Sequence, residues 1–264
     1  MRELISSPEL GRFTQGAILN CLKVAEKQKA FGLVISARCD IAHRKSKTIL
    51  CLPIYSLTDW LEQIGRSEII ESSKKVVDEI PHTVLKKFGL STSSFRIYGY
   101  ETTIEVLTKN GATPKDIQNV EMLRSYLEGG QLNPKVKAFK DPYNKLLESL
   151  WRNSRMDSHF IERIQLNEPS VGYIVDFTQP ITLARSLLDE LAVGIEKFKF
   201  DRDPTGVYGQ LFLDDLEQGE IVSVLRSPYI EHILQRFTHY YSRIGTADID
   251  ITELTNLKAR YEIR

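Results

Sequence analysis

Apolar residues come in short runs at the start of the chain. Residues 12–22, 31–37 and 47–55 are rich in Leu, Val and Ile. Each run is too short for an ordinary helix, which predicts β-strands. The polar stretch from Lys23 to Lys29 predicts the connection between the first two. Pro53 predicts that the third strand lies at a sheet edge or ends there, because proline donates no ladder hydrogen bond. The spacing then changes. SLTDWLEQIG, SEIIESSKKVVDEI and HTVLKKFGL repeat their apolar positions near every 3.6 residues and predict helices, with a break at Pro81. YETTIEVLTKNG predicts a helix closed by Gly111. Thr113-Pro114-Lys115-Asp116 supplies an N-cap, a first-turn proline and a first-turn acid for the next helix, which is expected to end at Gly129-Gly130. A further helix is expected after Asn133-Pro134 or Asp141-Pro142, carrying Tyr143, Leu146, Leu147, Leu150 and Trp151.

Strand patterns return at 159–166 and 172–177. TLARSLLDELAVGIEKF predicts a helix capped by Thr182, and residues 219–226 predict a last strand. Ser227-Pro228 opens a helix from Tyr229 to Ile244, closed by Gly245. The order of elements predicts an α+β fold. Residues 1–55 and 156–264 form a β-rich core with a C-terminal helix, and residues 56–155 are a helical insertion between its strands.

Composition changes this picture little. With 35 basic and 35 acidic residues the formal net charge is zero, so a nucleic-acid partner would need a local patch. Cys21, Cys39 and Cys51 are an odd set without C-x-x-C spacing, as expected of reduced thiols in a cytoplasm. No apolar run reaches 18 residues, and the N-terminus lacks a signal-peptide core. The expectation is a soluble cytoplasmic protein without a membrane partner. No Gly-rich phosphate loop sits between a strand and a helix, and Asp214, Asp215, Glu217 and Glu220 lack calcium-loop spacing, so neither cofactor nor metal is expected.

Candidate chemistry concentrates between the second and third strands. Ser36, Arg38, Cys39, Asp40, His43, Arg44, Lys45 and Lys47 fall within twelve residues. Ser36, Arg38, Asp40 and His43 are the candidate catalytic set. A metal-independent ribonuclease needs a base, an acid and a cation on the phosphate. The competing reading is a connecting loop in which Asp40 holds backbone amides and the basic residues face solvent. Cys39 is a nucleophile if Arg38, His43 or Arg44 lowers its pKa, and a packing residue otherwise. C-D-x-x-H makes a zinc site only with a distant ligand such as His159.

The C-terminal helix is the second candidate. Ile230, Ile233, Leu234, Phe237, Tyr241 and Ile244 form an apolar stripe. His232, Arg236, His239 and Arg243 lie within about 60° of one another on another face. With Arg44, Lys45 and Lys47 they are the candidate nucleic-acid contacts, and a solvated face is the alternative.

The Gly-led strand QGAIL, the strand LVIS ending in Ser36, and ILCLPIY running into proline resemble the MazF/PemK-like barrel, a small SH3-like fold. The Cys39-Asp40-Ile41 turn and the R-S-P-Y…Q-R-F…R-I-G helix from Arg226 to Gly245 resemble an uncharacterised bacterial family. These resemblances imply an antiphage-defence or toxin-type protein with a barrel that engages RNA or DNA, and metal-independent endoribonuclease activity is the catalytic form of that reading. One departure stands out. The loop KVAEKQKAFG lacks the arginine and the Arg-Pro step that MazF-like ribonucleases carry there, which favours binding without cleavage. The alternative is a non-catalytic interaction component of a multi-protein defence system, docking through residues 56–155.

Overall fold

The computed structural model describes residues 3–25, 28–127, 137–169, 171–213 and 216–242. The strands are β1 (Ile5–Ser6), β2 (Ala17–Ala25), β3 (Gln28–Val34), β4 (Thr48–Ser56), β5 (Ser158–Ile161), β6 (Tyr173–Asp176), β7 (Ile181–Ala184), β8 (Ile195–Glu196), β9 (Gln218–Gly219) and β10 (Ile221–Leu225). The helices are α1 (Arg38–Ala42), α2 (Leu57–Trp60), α3 (Arg66–Lys87), α4 (Thr92–Lys109), α5 (Pro114–Leu127), α6 (Lys137–Trp151), α7 (Arg185–Leu191), α8 (Lys197–Arg202) and α9 (Tyr229–Ser242). A π-helical turn, Leu61–Gly65, joins α2 to α3. No described helix is long and apolar enough to cross a membrane.

The architecture is mixed α and β around a curled, antiparallel half-barrel sheet. Its order is β1-β10-β2-β3-β4-β6-β5, and β7 also pairs with β4. Strands near both ends of the described chain therefore share one sheet, and α2 to α6 fall between β4 and β5. Register shifts in the β10–β2 and β2–β3 pairings interrupt the ladder, and bulges of this kind sharpen sheet curvature.

Alternation along β4 assigns the two faces. Leu52 and Ile54 join a core with Leu33, Val175 and Phe177, covered by Ile230 and Ile233 of α9. Ile49 and Cys51 face the other way, against Leu187, Leu188 and Leu191 of α7. Tyr55 continues that second face into the helical layer, where it meets Trp60, Leu85, Phe95 and Phe139. Burying Ile230 and Ile233 contributes roughly 3–6 kcal/mol before entropy. The apolar stripe expected of α9 is thus its sheet-facing side as far as Tyr241; Ile244, Gly245, Arg243 and Gly129-Gly130 lie outside the described residues.

Several expectations are corrected. Most of Lys23–Lys29 is strand and not a separate connection, because β2 runs to Ala25 and β3 starts at Gln28, with Lys23 opposite Lys29. Pro53 lies in a central strand, not at an edge. Leu50 directs its N–H and C=O toward the β3 side, so alternation aims the Pro53 nitrogen the other way. There β7 pairs only with Thr48–Cys51 and β6 only with Ile54–Ser56, so the missing N–H falls in the gap between them. Pro81 does not end α3, which runs on through it with the proline buried. Packing of α3 against α5 and α6 offsets the lost backbone bond. Thr182 is not a helix cap. It belongs to β7, because the open edge of β4 offers ladder partners that a β-branched pair satisfies. The following helix stops at Leu191, and Gly194 at φ 103° turns the chain into β8. The strand expected over 159–166 ends at Ile161.

Other expectations hold. The Thr113–Asp116 cap forms in both directions, with Asp116 N–H donating to Thr113 Oγ1 and Thr113 N–H to Asp116 Oδ2. The helix expected from Tyr100 follows a break at Gly99, where φ is 77°, and ends at Asn110 before Gly111.

One polar junction ties these layers together. Arg155 donates from Nη1 and Nη2 to both carboxylate oxygens of Glu68 on α3, each at 2.7 Å. It also donates from Nε and Nη2 to Asp157 at 3.0 and 2.6 Å. Burial alone would lower its pKa, but the hydrogen bonds to Glu68 and Asp157 outweigh burial and hold it above the ordinary guanidinium value. Arg155→Ala should lower unfolding stability by about 3 kcal/mol, since it leaves two carboxylates facing each other. Arg152→Ala, which removes an exposed pair with Glu148, should change stability by less than about 1 kcal/mol. Urea denaturation of the two variants checks the contrast, and equal losses would deny the junction its role.

Candidate functional site

The connection between β3 and β4 is folded, not loose. After β3, Ile35 N–H donates to Leu50 O at 2.9 Å, and Leu50 N–H donates to Ser36 Oγ at 2.8 Å. The Ser36 hydroxyl thus replaces a backbone acceptor at the end of the ladder. The chain then makes the short helix α1, whose Ile41 is buried beneath the turn. His43 N–H closes it on Cys39 O, and Arg44 follows at φ 52°. Lys45 N–H donates to Asp40 O. The side chains of His43, Arg44, Lys45 and Lys47 are left exposed.

The candidate catalytic residues do not form a connected set. Arg38 pairs with Glu231 of α9 at 2.9 Å. Cys39 is exposed, and its Sγ donates to Asp40 Oδ1 at 3.6 Å. Among the described residues no side-chain hydrogen bond or ion pair joins Ser36, Arg38, Asp40 and His43 to one another.

Beneath the turn lies a cavity of about 650 Å³. Four parts of the chain wall it: Ser6 to Thr14 from the end of β1 onward, Ile41 to Arg44 of the turn, Arg185 with Asp189 on α7, and Val224 of β10. Arg185 is mostly buried, with 13% of its side chain exposed. Its Nη2 donates to Ile41 O at 2.8 Å, and the guanidinium lies 5.4 Å from the centre of the Phe13 ring. Asp189 Oδ2 stands 3.8 Å from Arg185 Nε and 3.7 Å from Arg44 Nη2. Arg185 Nε and Nη1 have no hydrogen-bond acceptor among the described residues. Sequence reasoning singled out Arg44 here but missed Arg12, Arg185 and Asp189. Arg185 was hidden in a stretch read as one helix capped by Thr182, and only the β7 pairing brings it under the turn.

The α9 face adjoins the turn through Arg38–Glu231, but its basic row serves another element. His232, Arg236 and His239 border a cleft of about 420 Å³ opposite Asn153 to Met156. His232 packs edge-to-face against buried His159, with ring centroids 5.2 Å apart. Arg236 donates to the carbonyl oxygens of Asn153, Arg155 and Ser158, the last at 3.0 Å. The solvent-facing guanidinium expected at Arg236 is therefore a half-buried clamp on three carbonyls. Burial lowers its pKa from the ordinary value. His232 and His239 remain exposed.

Among the described residues no group of three or more His, Cys, Asp or Glu could hold a metal ion. Compared with protein-family models, curated proteins and solved structures, the chain matches none.

Two buried groups give sharp chemical expectations. Cys21 and Cys51 are buried, and burial pushes both thiols up to about 12. A small alkylating reagent at neutral pH should modify Cys39 alone in the folded protein and all three cysteines after denaturation. Mass spectrometry that finds rapid native labelling at Cys21 or Cys51 would contradict the packing.

Asp176 is buried at 3% exposure. Burial, with a smaller contribution from Asp157, raises its pKa despite hydrogen bonds to Oδ1 from Thr178 N–H and Oγ1. A raised carboxyl pKa means that the folded state holds the proton more tightly than the unfolded state. Stability linked to this group is therefore present near pH 4 and lost as pH rises through the folded pKa. Asp176→Asn should melt at or above the wild-type Tm at pH 7, with the gap closing toward pH 4. A lower Tm at pH 7 would show that the charged form is the one the fold uses.

Proposed function

We propose that this protein binds nucleic acid through the basic turn after β3. The observation that carries this reading is the exposure of His43, Lys45 and Lys47 on a hydrogen-bonded turn, with no acidic side-chain partner among the described residues. Arg44 extends the same surface over the cavity. Such a local patch attracts phosphates even when net charge is zero, because only charges within about 8–10 Å act strongly at physiological salt. The exposed imidazoles of His232 and His239 extend the surface toward α9. The curled β2–β3–β4 meander is consistent with the SH3-like, MazF/PemK-like form of the sheet, and a cytoplasmic antiphage-defence or toxin-type setting fits that resemblance.

Binding without cleavage is the form we favour. Ser36 is engaged in the β4 ladder, Arg38 pairs with Glu231, and among the described residues no acid–base–cation set is linked in the turn. A second reading, a non-catalytic interaction component, has its own support in the helical layer. Leu57, Leu147, Leu150, Trp151 and Phe160 line an apolar cleft, and Trp151 is 69% exposed.

Fluorescence anisotropy with single-stranded RNA and DNA oligonucleotides tests the first reading. Affinity should fall steeply as salt rises, and Lys45→Ala and Lys47→Ala should each reduce the log–log salt slope by about one unit. The RNA should remain intact with and without EDTA. Wild-type affinity and slope in the Lys45→Ala/Lys47→Ala double variant would overturn the reading and leave the interaction component.

A further inference from the structure

The cavity under the turn has features that a flat phosphate-contacting surface does not need. Its volume of about 650 Å³ lies within the usual range for small-molecule sites. Arg12, Arg44 and Arg185 border it against Glu9 and Asp189, which leaves one formal positive charge. The contacts that hold the Arg185 guanidinium, the Phe13 ring, the Ile41 carbonyl and Asp189, all belong to residues of the cavity wall. Arg185 is thus part of the cavity wall, with its Nε and Nη1 enclosed among these contacts.

The donor inventory is incomplete in a specific way. A guanidinium has five N–H donors. Arg185 uses Nη2 on Ile41 O, while Nε and Nη1 lack acceptors among the described residues. A buried donor without an acceptor costs about 1–3 kcal/mol. A bidentate arginine–carboxylate pair closes to about 2.7–2.9 Å. Asp189 stands at 3.7 and 3.8 Å from its two arginines, so it orients them without occupying their forks. Arg12 and Arg44 are exposed by 76% and 72% and can close over a ligand from the rim. Thr14 and Ser7 bring hydroxyl groups to the same wall.

We propose that this cavity binds a terminal phosphate, a phosphate monoester carried by a mononucleotide or by the end of a nucleic-acid strand. A monoester dianion matches several arginines better than an internal diester of single charge. That the carrier is a nucleotide rests on the nucleic-acid reading above; the anion site does not.

The test compares oligonucleotides of one sequence that differ only in a 5′-phosphate, a 3′-phosphate or hydroxyl ends. Thermal shift with a nucleoside 5′-monophosphate, at matched ionic strength, runs alongside. One of the phosphorylated ends should bind at least about tenfold more tightly than the hydroxyl form. Arg44→Gln, an exposed substitution, should reduce that preference to within about twofold, and Arg185→Lys, which keeps the charge and loses the fork, should do the same. Equal affinity for all three oligonucleotides overturns the terminal-phosphate site and leaves surface binding intact. If no oligonucleotide binds, the nucleic-acid reading fails and the mononucleotide decides. A rise in Tm that Arg44→Gln abolishes supports the cavity, and no rise overturns it.

Discussion

The structure depends on the charged junction at residues 153–158. Arg155 joins Glu68 on α3 to Asp157 beside β5, and its guanidinium lies 5.3 Å from the centre of the Trp60 ring. Arg236 of α9 closes over the carbonyls of the same segment. Helical layer, sheet edge and C-terminal helix thus meet on six residues. Apolar packing supplies the larger free energy, but it is non-directional. The arginine forks add direction, because their donors accept only a narrow set of orientations. A partly buried guanidinium facing two carboxylates tolerates loss of neither side, so the junction couples the layers.

The fork at β4 has a comparable effect on the candidate site. One strand serves β3 on one side and both β7 and β6 on the other. Pro53 sits where the second side changes partner. Because β7 pairs with the start of β4, its continuation into α7 begins beside Lys47, where Arg185 N–H donates to Lys47 O. That bond sets Arg185 below the α1 turn. The cavity therefore follows from strand pairing between residues 130 or more positions apart in sequence.

The two basic elements are then unequal. The turn keeps its lysines in solvent and places Arg44 above a buried arginine. The α9 row sets its arginine against the chain and leaves its histidines exposed. The nucleic-acid surface we propose therefore centres on the turn and is only edged by α9. The apolar cleft at Trp151 lies in the helical layer and belongs to a different kind of contact.

Local pattern by itself determined the element types with strong periodicity or caps. The strands at 31–34, 48–55 and 173–176, the α5 cap at Thr113 and the apolar face of α9 were legible, because side-chain period and capping chemistry act within a few residues. The concentration of polar groups between Ser36 and Lys47 was legible for the same reason. Their roles were not. Whether Ser36 closes a ladder, Arg38 meets Glu231, or Arg236 clamps carbonyls depends on groups far away in sequence. The tertiary structure also decided Pro53, Pro81 and Thr182, where pairing gaps and packing outweighed local preference. Arg185 shows the same limit most plainly: its neighbours along the chain give no sign of the cavity it borders, and only the β4–β7 pairing brings Phe13, Ile41 and Arg44 around it.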